Sequence, residues 1–251
     1  MKKILFMTSV CIMGIPISAQ SFITNNQDFK CDTFIYFDSS RNRKIPVAVY
    51  TPNHAVKSNK IPVIFSHGWG ENKGGDYFAY SYLTEFLASK GYFVVSIQHE
   101  LPTDEMLAMD GNFQVTRKPN WERGSQNILF VVHKMKKDFP DLKYNKLTVI
   151  GHSNGGDMTA LFTTKHPELV DKVITMDNRR MPLPRTRHPK IYTLRSNDYP
   201  ADEGVLPTEG EQKKYGIMVD FTPVNHGNMD NDATPEERKY MTQKIIKYLE
   251  N

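Results

Sequence analysis

The segment around Ser153 is the part of the sequence best suited to chemistry. Residues 149–156 read VIGHSNGG, which places G-x-S-x-G directly after an apolar run and directly before a segment of helical periodicity. Glycines on both sides allow a strand and a helix to meet at a sharp turn that a Cβ would block. Such a turn exposes the hydroxyl beside the helix N-terminus, where negative charge is favoured. The pattern predicts Ser153 as a nucleophile, and the alternative is a structural glycine-rich turn.

A nucleophilic serine needs a base, and His226 is the candidate. It lies in the loop PVNHGN, residues 223–228, between the last predicted strand and the last predicted helix. A base in that loop can come within hydrogen-bonding distance of the Ser153 hydroxyl. The other histidines fit less well, because they fall in predicted loops or helix surfaces, precede the nucleophile or lie inside the turn itself: His54, His67, His99, His133, His152, His166 and His188.

The carboxylate that would orient the imidazole of His226 has three candidates. Asp198 follows the strand predicted to end near Arg195, and it is the first choice. Asp202 lies in the same loop and competes with it. Asp177 follows the preceding strand and is the third choice. A loop carboxylate that caps backbone amides is the structural alternative for the two that are not used.

The loop of residues 65–70, FSHGWG, follows an earlier apolar strand and could stabilise an oxyanion. Acyl transfer requires donors aimed at the point where negative charge develops, and glycine-containing loops supply backbone N–H groups for this. We assign one donor to the amide of Trp69 and the other to the amide of Asn154. His67 is interpreted as a structural histidine beneath the loop, and the Trp69 side chain as a border of the substrate pocket.

These residues need a scaffold, and the sequence predicts one of the α/β class. Short β-branched runs alternate with segments of helical periodicity along residues 45–249. The predicted strands cover residues 45–50, 61–66, 93–97, 147–150, 173–176, 191–194 and 217–221, and helices are predicted at 82–87, 121–137, after Ser153 and at 234–249. Alternation of this kind implies right-handed crossovers and a mainly parallel sheet with helices on both faces. Function is then expected beyond the carboxyl ends of the strands.

Composition excludes several other classes of protein. The 32 Lys and Arg residues and 28 Asp and Glu residues give a formal charge of only +4. No basic run is interleaved with aromatic residues, so no nucleic-acid partner is expected. No cluster of Cys, His and carboxylates has metal-ligand spacing, and no glycine-rich phosphate loop occurs, so no cofactor and no metal is expected.

Residues 1–19 have the pattern of a secretory signal peptide. Lys2 and Lys3 precede a mostly apolar run over residues 4–17, and small residues lead to a predicted cleavage site between Ala19 and Gln20. The run is too short for a comfortable membrane span. The sequence therefore predicts a secreted or periplasmic protein with one domain over residues 20–251 and no membrane span after cleavage.

Two cysteines bear on that processing. Cys11 would suggest a lipoprotein, but the preceding residues Thr8-Ser9-Val10 are a poor lipidation signal, so this remains the minority alternative. Removal of residues 1–19 leaves Cys31 alone, so no intrachain disulfide can form. Cys31 is interpreted as a buried thiol without a chemical role.

Taken together, the motifs resemble the α/β-hydrolase superfamily, and more narrowly bacterial esterases of the dienelactone-hydrolase and platelet-activating-factor-acetylhydrolase-like group. The resemblance is carried by residues 66–70, residues 151–156, Asp198 and His226, in the family's order of nucleophile, acid and histidine. It implies hydrolysis of a small carboxylic ester through a covalent acyl-enzyme, without a cofactor. Two aspartates stand where the family usually shows one acid.

Two other functions and one specificity region follow from the same residues. An amidase or peptidase would use the same catalytic groups, and a binding protein could keep the fold without turnover. Residues 98–120 form a long connection, and residues 100–120 of it are predicted to be a lid-like insertion because loops of this length are usually lids or binding loops.

Overall fold

The computed structural model describes residues 28–54 and 56–251, so the predicted signal peptide and Cys11 lie outside the described residues. One eight-stranded sheet with the order β1-β2-β4-β3-β5-β6-β7-β8 organises the chain. Only the pairs β1–β2 and β2–β4 are antiparallel. The strands are β1 (Phe29–Asp38), β2 (Arg43–Pro52), β3 (Pro62–Ser66), β4 (Phe93–Ile97), β5 (Thr148–His152), β6 (Lys172–Met176), β7 (Lys190–Arg195) and β8 (Met218–Phe221).

Helices cover both faces of this sheet. They are α1 (Ser81–Ser89), α2 (Phe113–Thr116), α3 (Lys118–Asp138), α4 (Ser153–Lys165), α5 (Glu209–Tyr215) and α6 (Pro235–Glu250). Leu83 of α1 and Ile245 of α6 are fully buried in the core on one face. Ile128 of α3 and Phe162 of α4 are fully buried in the core on the other. The two cores make the sheet a rigid middle layer.

The parallel strands at the centre explain the continuous apolar runs in the sequence. Every residue of β3, β4, β5 and β6 is buried, as expected when helices cover both faces of a strand. Their carboxyl ends meet at one edge of the sheet, where the loops after β3, β4, β5, β6 and β8 converge. The predicted α/β architecture is confirmed.

Besides the four-residue helix α2, two elements have no counterpart among the predicted strands and helices. Strand β1 lies at the edge of the sheet, and its burial alternates, with Ile35 at 56% and Phe37 at 53% exposure. Helix α5 has no buried residue and is held by a capping box between Thr208 and Glu211. Neither element has the continuous apolar run or buried stripe that marks the central elements, because neither packs on two sides.

The described part of the chain also bears on two other expectations. Within residues 28–54 and 56–251, no helix has the length and apolar character needed to cross a membrane. Cys31 lies buried in β1, and its burial raises the pKa of the thiol to about 11. A thiol with that pKa carries little thiolate at neutral pH and is a weak nucleophile.

Candidate active site

The turn between β5 and α4 places Ser153 at the carboxyl edge of the sheet. Ser153 has a φ of 50°, a left-handed conformation that costs a residue with a side chain about 1–2 kcal/mol. A Cβ on Gly155 would stand 2.2 Å from the carbonyl oxygen of His67, and one on Gly151 would stand 2.4 Å from that of Gly155. Both glycines are therefore required for the close approach of helix, strand and the loop after β3.

The imidazole of His226 joins Ser153 to a buried carboxylate. Its Nε2 lies 3.0 Å from Oγ of Ser153, and its Nδ1 lies 2.6 Å from Oδ2 of Asp177. With a proton on Nδ1, the ring donates to the carboxylate and leaves Nε2 free to accept the serine proton. The chain of contacts has the geometry of a nucleophile, a base and a carboxylate that orients the base.

Asp177 follows β6 directly and is fully buried. The Ser196 hydroxyl donates to its Oδ2 at 2.6 Å, the Ser196 amide donates to Oδ1 at 3.0 Å, and Arg195 pairs with Oδ1 at 2.8 Å. Burial alone would raise the pKa of Asp177, but the hydrogen bonds from His226 and Ser196 and the charge of Arg195 hold it below its usual value. The carboxylate is thus ionised and fixed.

The structure therefore contradicts the choice of Asp198 as the carboxylate on the imidazole. Asp198 is exposed, and its Oδ1 accepts the backbone N–H of His226 at 2.9 Å. Asp202 binds Arg180 instead, with Nη1 at 2.9 Å and 3.0 Å from its two carboxylate oxygens. Both aspartates are structural, and Asp177, the third choice, occupies the position that the sequence analysis gave to Asp198.

The order of the strands explains this correction. β6 lies next to β5, which carries the nucleophile, whereas β7 lies one strand further away. Neighbouring strands are about 4.8 Å apart. The imidazole of His226 reaches Ser153 from the loop after β8, and its other nitrogen, Nδ1, therefore lies near the end of β6. One sequence signal pointed to Asp177: it follows the apolar strand of residues 173–176 with no spacer, so its carboxylate had to be buried and paired.

The two predicted oxyanion donors border the same cavity as the nucleophile. A cavity of 510 Å³ is lined by Trp69 and Asn154 together with Ser153 and His226. Asn154 is the second residue of α4, so its amide has no acceptor within the helix. The structure brings both residues to the nucleophile, and their predicted role as oxyanion donors stays a prediction.

Three buried side chains support the loop after β3 from below. Nδ1 of His67 lies 2.6 Å from the carbonyl oxygen of Gly68, and its Nε2 accepts the His99 amide at 3.0 Å. With one nitrogen donating and one accepting, the His67 ring is neutral and structural, as predicted. The Tyr80 hydroxyl accepts from the Gly68 amide at 3.2 Å and lies 2.5 Å from Nδ1 of His152.

Burial sets the state of the histidine inside the turn. Burial, and then the nearby His226, lower the pKa of His152 to about 3. His152 is therefore neutral at physiological pH and accepts the hydroxyl proton of Tyr80 at Nδ1. Its ring packs 4.7 Å from that of His226, so it contributes a neutral wall behind the base.

A buried polar network, which we call the floor, holds the side chain of Asn154. The floor consists of Glu100, Asn120, Trp121 and Asn154, none of which is more than 7% exposed. Nδ2 of Asn154 donates to Oε1 of Glu100 at 3.0 Å and to Oδ1 of Asn120 at 2.8 Å, and Oδ1 of Asn154 accepts from Trp121 at 2.9 Å. Sequence reasoning missed the floor, because its residues come from three separate segments.

Nothing in the described residues suggests a metal centre. Residues 28–54 and 56–251 contain no group of three or more His, Cys, Asp or Glu side chains placed to hold a metal ion. A larger cavity of 780 Å³ lies beside β2 and α3, but Ser153 and His226 do not line it. Its residues Arg43 and Asp104 are hydrogen-bonded to each other at 2.7–2.8 Å, whereas the candidate nucleophile and base line the smaller cavity.

Comparison with known proteins gives partial sequence similarity. No family model matches the chain. A mouse protein named serine hydrolase-like protein is 34% identical over 108 residues, which are 43% of this chain and 33% of that protein. A zebrafish protein of the same name is 24% identical over 129 residues, 51% of this chain and 33% of that protein. The matched part therefore spans about a third of the length of these relatives.

Solved structures match over most of the chain. Dienelactone hydrolase from Anabaena variabilis has a TM-score of 0.56 at 17% identity, covering 87% of this chain and 96% of that one. An arylesterase has a TM-score of 0.61 at 13% identity, with 91% and 87% coverage. Esterase Est22, solved with p-nitrophenol, has a TM-score of 0.64 at 11% identity, with 88% and 81% coverage. The chain has the α/β-hydrolase fold, and its relatives support a hydrolase.

Proposed function

We propose that this protein is a serine hydrolase that cleaves a small carboxylic ester through an acyl-enzyme. Its catalytic residues are Ser153, His226 and Asp177. The observation that carries the proposal is the unbroken hydrogen-bonded chain from the hydroxyl to the imidazole to the ionised carboxylate, placed in an open cavity. A strained serine and a buried, paired aspartate persist only where the surrounding structure holds them, and such features concentrate at functional sites.

In the first half-reaction, Oγ of Ser153 attacks the ester carbonyl carbon as Nε2 of His226 takes its proton. The carbonyl oxygen becomes an oxyanion, which the amides of Trp69 and Asn154 stabilise. The charge of Asp177 stabilises the imidazolium that forms. When the tetrahedral intermediate collapses, the bond to the leaving oxygen breaks, and His226 gives its proton to the departing alcohol.

The second half-reaction returns the enzyme to its starting state. His226 takes a proton from a water molecule, whose oxygen attacks the acyl carbon. Collapse of this second intermediate breaks the bond to Oγ of Ser153, and His226 returns the proton to the serine. One ester and one water give one acid and one alcohol, and the protein's own residues supply every proton transfer.

Hydrolysis of 4-nitrophenyl butyrate by a Ser153→Ala variant tests the proposal. We expect kcat/KM to fall by at least about 10³-fold, while circular dichroism and the thermal midpoint show an intact fold. Ser58→Ala, which removes an exposed hydroxyl elsewhere, is the matched control and should keep wild-type activity. Near wild-type hydrolysis by Ser153→Ala would overturn the proposal.

A matched anilide substrate distinguishes an esterase from an amidase. Both bonds pass through the same kind of tetrahedral intermediate, but an amide needs its poorer leaving group protonated. We expect the butyryl ester to be cleaved and 4-nitrobutyranilide to be cleaved far more slowly. Faster cleavage of the anilide would make the protein an amidase that uses the same residues.

We also propose that the protein acts outside the cytoplasm, in the periplasm or the medium. The signal-like residues 1–19 support this. Mass spectrometry of the protein from its native host should give a mature N-terminus at Gln20. An intact N-terminus, or a lipid on Cys11, would contradict cleavage at the predicted site.

A further inference from the structure

Three arginines surround the opening above Ser153. Arg117, Arg179 and Arg180 line the 510 Å³ cavity, and Asp198 is the one carboxylate residue that lines it with them. Oδ1 of Asp198 accepts the backbone N–H of His226, and within the described residues this carboxylate forms no salt bridge with any of the three arginines. We call the arginines and the two aromatic rings on which they rest, Phe113 and Tyr199, the rim.

Only one of the three guanidinium groups is neutralised by an acid. Arg180 forms the ion pair with Asp202 described above. In contrast, no carboxylate in the described part of the chain forms a salt bridge with Arg117 or Arg179. Nε of Arg117 donates to the carbonyl oxygen of Ala108 at 2.7 Å, and Nε of Arg179 donates to that of Pro200 at 3.3 Å. Each keeps its full charge and has donors left for a ligand.

Aromatic rings hold the guanidinium groups in place. The guanidinium carbons of Arg180 and Arg117 lie 4.0 Å and 4.4 Å from the ring centre of Phe113, and that of Arg179 lies 4.0 Å from that of Tyr199. The Tyr199 ring is also stacked on His226 at 4.8 Å, so this ring contacts both Arg179 and the base. Stacking on a ring face leaves the N–H edges of a guanidinium free to bind an anion.

The helix that carries the nucleophile also holds the backbone of Arg179 and Arg180. Oδ1 of the buried Asp157, in α4, accepts the amides of Arg179, Arg180 and Met181 at 3.2, 2.9 and 2.8 Å. Burial lowers the pKa of Arg117, and the charges of Arg180 and Arg179 lower it further, whereas the charges of Asp157 and Asp202 oppose the shift. The protein thus holds like charges together at the mouth of the cavity, an arrangement that a bound anion would relieve.

We propose that the natural substrate is an ester that carries a second, anionic group, which Arg117 and Arg179 bind while the ester carbonyl lies at Ser153. This inference rests on the proposed esterase function and adds the substrate class. A carboxylate fits because it accepts paired hydrogen bonds from a guanidinium. The anionic group is small, since the whole ligand occupies a cavity of 510 Å³.

Matched esters with and without a charge test the inference. On the acyl side, the 4-nitrophenyl monoester of glutaric acid is compared with 4-nitrophenyl valerate, which has the same chain length. On the alcohol side, 4-acetoxybenzoate is compared with phenyl acetate. We expect the wild-type enzyme to favour the anionic member of at least one pair by about tenfold or more in kcat/KM at low ionic strength. That preference should shrink as salt is added.

Variants then locate the source of the preference. Arg117→Gln and Arg179→Gln should each lower the ratio of anionic to neutral kcat/KM, and the double variant should bring it within about twofold of one. Arg187→Gln removes an exposed charge away from the cavity and should leave the ratio unchanged.

The outcomes separate the two proposals. Equal kcat/KM for both members of both pairs overturns the anionic-substrate inference and leaves the esterase function standing. A ratio that survives in the double variant also overturns it. No hydrolysis of any of the four esters by the folded wild-type protein instead counts against the proposed function itself.

Discussion

The floor and the rim both adjoin the cavity that Ser153 lines, and they differ in burial and in charge. The floor is buried, and both polar atoms of the Asn154 side chain, Oδ1 and Nδ2, are hydrogen-bonded to neighbouring side chains at 2.8–3.0 Å. The rim is partly exposed, cationic and held by ring faces rather than by a closed hydrogen-bond network. Under the two proposals, the floor and the catalytic residues determine the rate of the chemistry, and the rim determines the choice of substrate.

The largest effect expected is from the aspartate beneath the base. Asp177→Asn removes the charge that stabilises the imidazolium and the acceptor that fixes its tautomer, so kcat should fall by about 10⁴-fold. The same exchange at Asp198 removes a charge but keeps an amide oxygen that accepts the backbone N–H of His226, so we expect less than a tenfold fall. Steady-state kinetics with 4-nitrophenyl butyrate compares the two. A larger loss at Asp198 would reverse the assignment.

The next effect concerns the floor. Glu100→Ala leaves Nδ2 of Asn120 and of Asn154 without their shared acceptor, which should cost about 4 kcal/mol of unfolding free energy in urea. The backbone N–H of Asn154, the proposed oxyanion donor, would lose its fixed position. We therefore expect kcat to fall about 10–100-fold with little change in KM.

A conservative variant distinguishes a positioning role of Glu100 from a purely structural one. Glu100→Gln restores an acceptor oxygen and should recover most of kcat. Neither variant should alter the ratio of anionic to neutral ester hydrolysis, because that ratio belongs to the rim. If Glu100→Ala loses stability alone and keeps wild-type kcat, the floor is structural and has no part in positioning.

A smaller effect concerns the carboxylate that joins α4 to the rim. Burial raises the pKa of Asp157 from 3.8 to about 6, against the opposing effect of three amide donors. Between these values the folded state keeps a proton that the unfolded state has released, so stability falls as pH rises through this window, by about 3 kcal/mol in total.

Asp157→Asn should remove this pH dependence. Relative to the wild type, the variant should gain about 3 kcal/mol in unfolding free energy between pH 4 and pH 7, measured by urea denaturation. The lowered pKa of Asp177 acts in the opposite sense and only below about pH 4, so it does not overlap with this window. Asp141→Asn, at an exposed position, is the control. A difference that is constant with pH would show that Asp157 is not desolvated as described.

The sequence predicted the parts of the site that depend on local pattern. Ser153 stands in a five-residue motif between a strand and a helix, and His226 stands in the loop before the last helix. The parallel core was readable because strands buried on both faces are continuously apolar. Strand β1 and helix α5 were missed, since an edge strand and an exposed helix bury too little to leave a clear pattern.

What the sequence could not show depends on contacts between distant segments. Choosing Asp177 over Asp198 required the order of β5, β6 and β7, which no local pattern contains. The bond between Glu100 and Asn154 joins residues 54 positions apart. The arginines of the rim were visible as charges, but the approach of Arg179 and Arg180 to the cavity depends on the way Asp157 anchors the loop after β6.

Both proposals depend on Ser153 being a nucleophile that His226 and Asp177 activate. Incubation with a fluorophosphonate, followed by mass spectrometry of the peptides, tests it directly. We expect one phosphonyl group per chain, on Ser153, with labelling abolished in Ser153→Ala and greatly slowed in Asp177→Asn. Folded wild-type protein that stays unlabelled, or that carries the group on another residue, would contradict it.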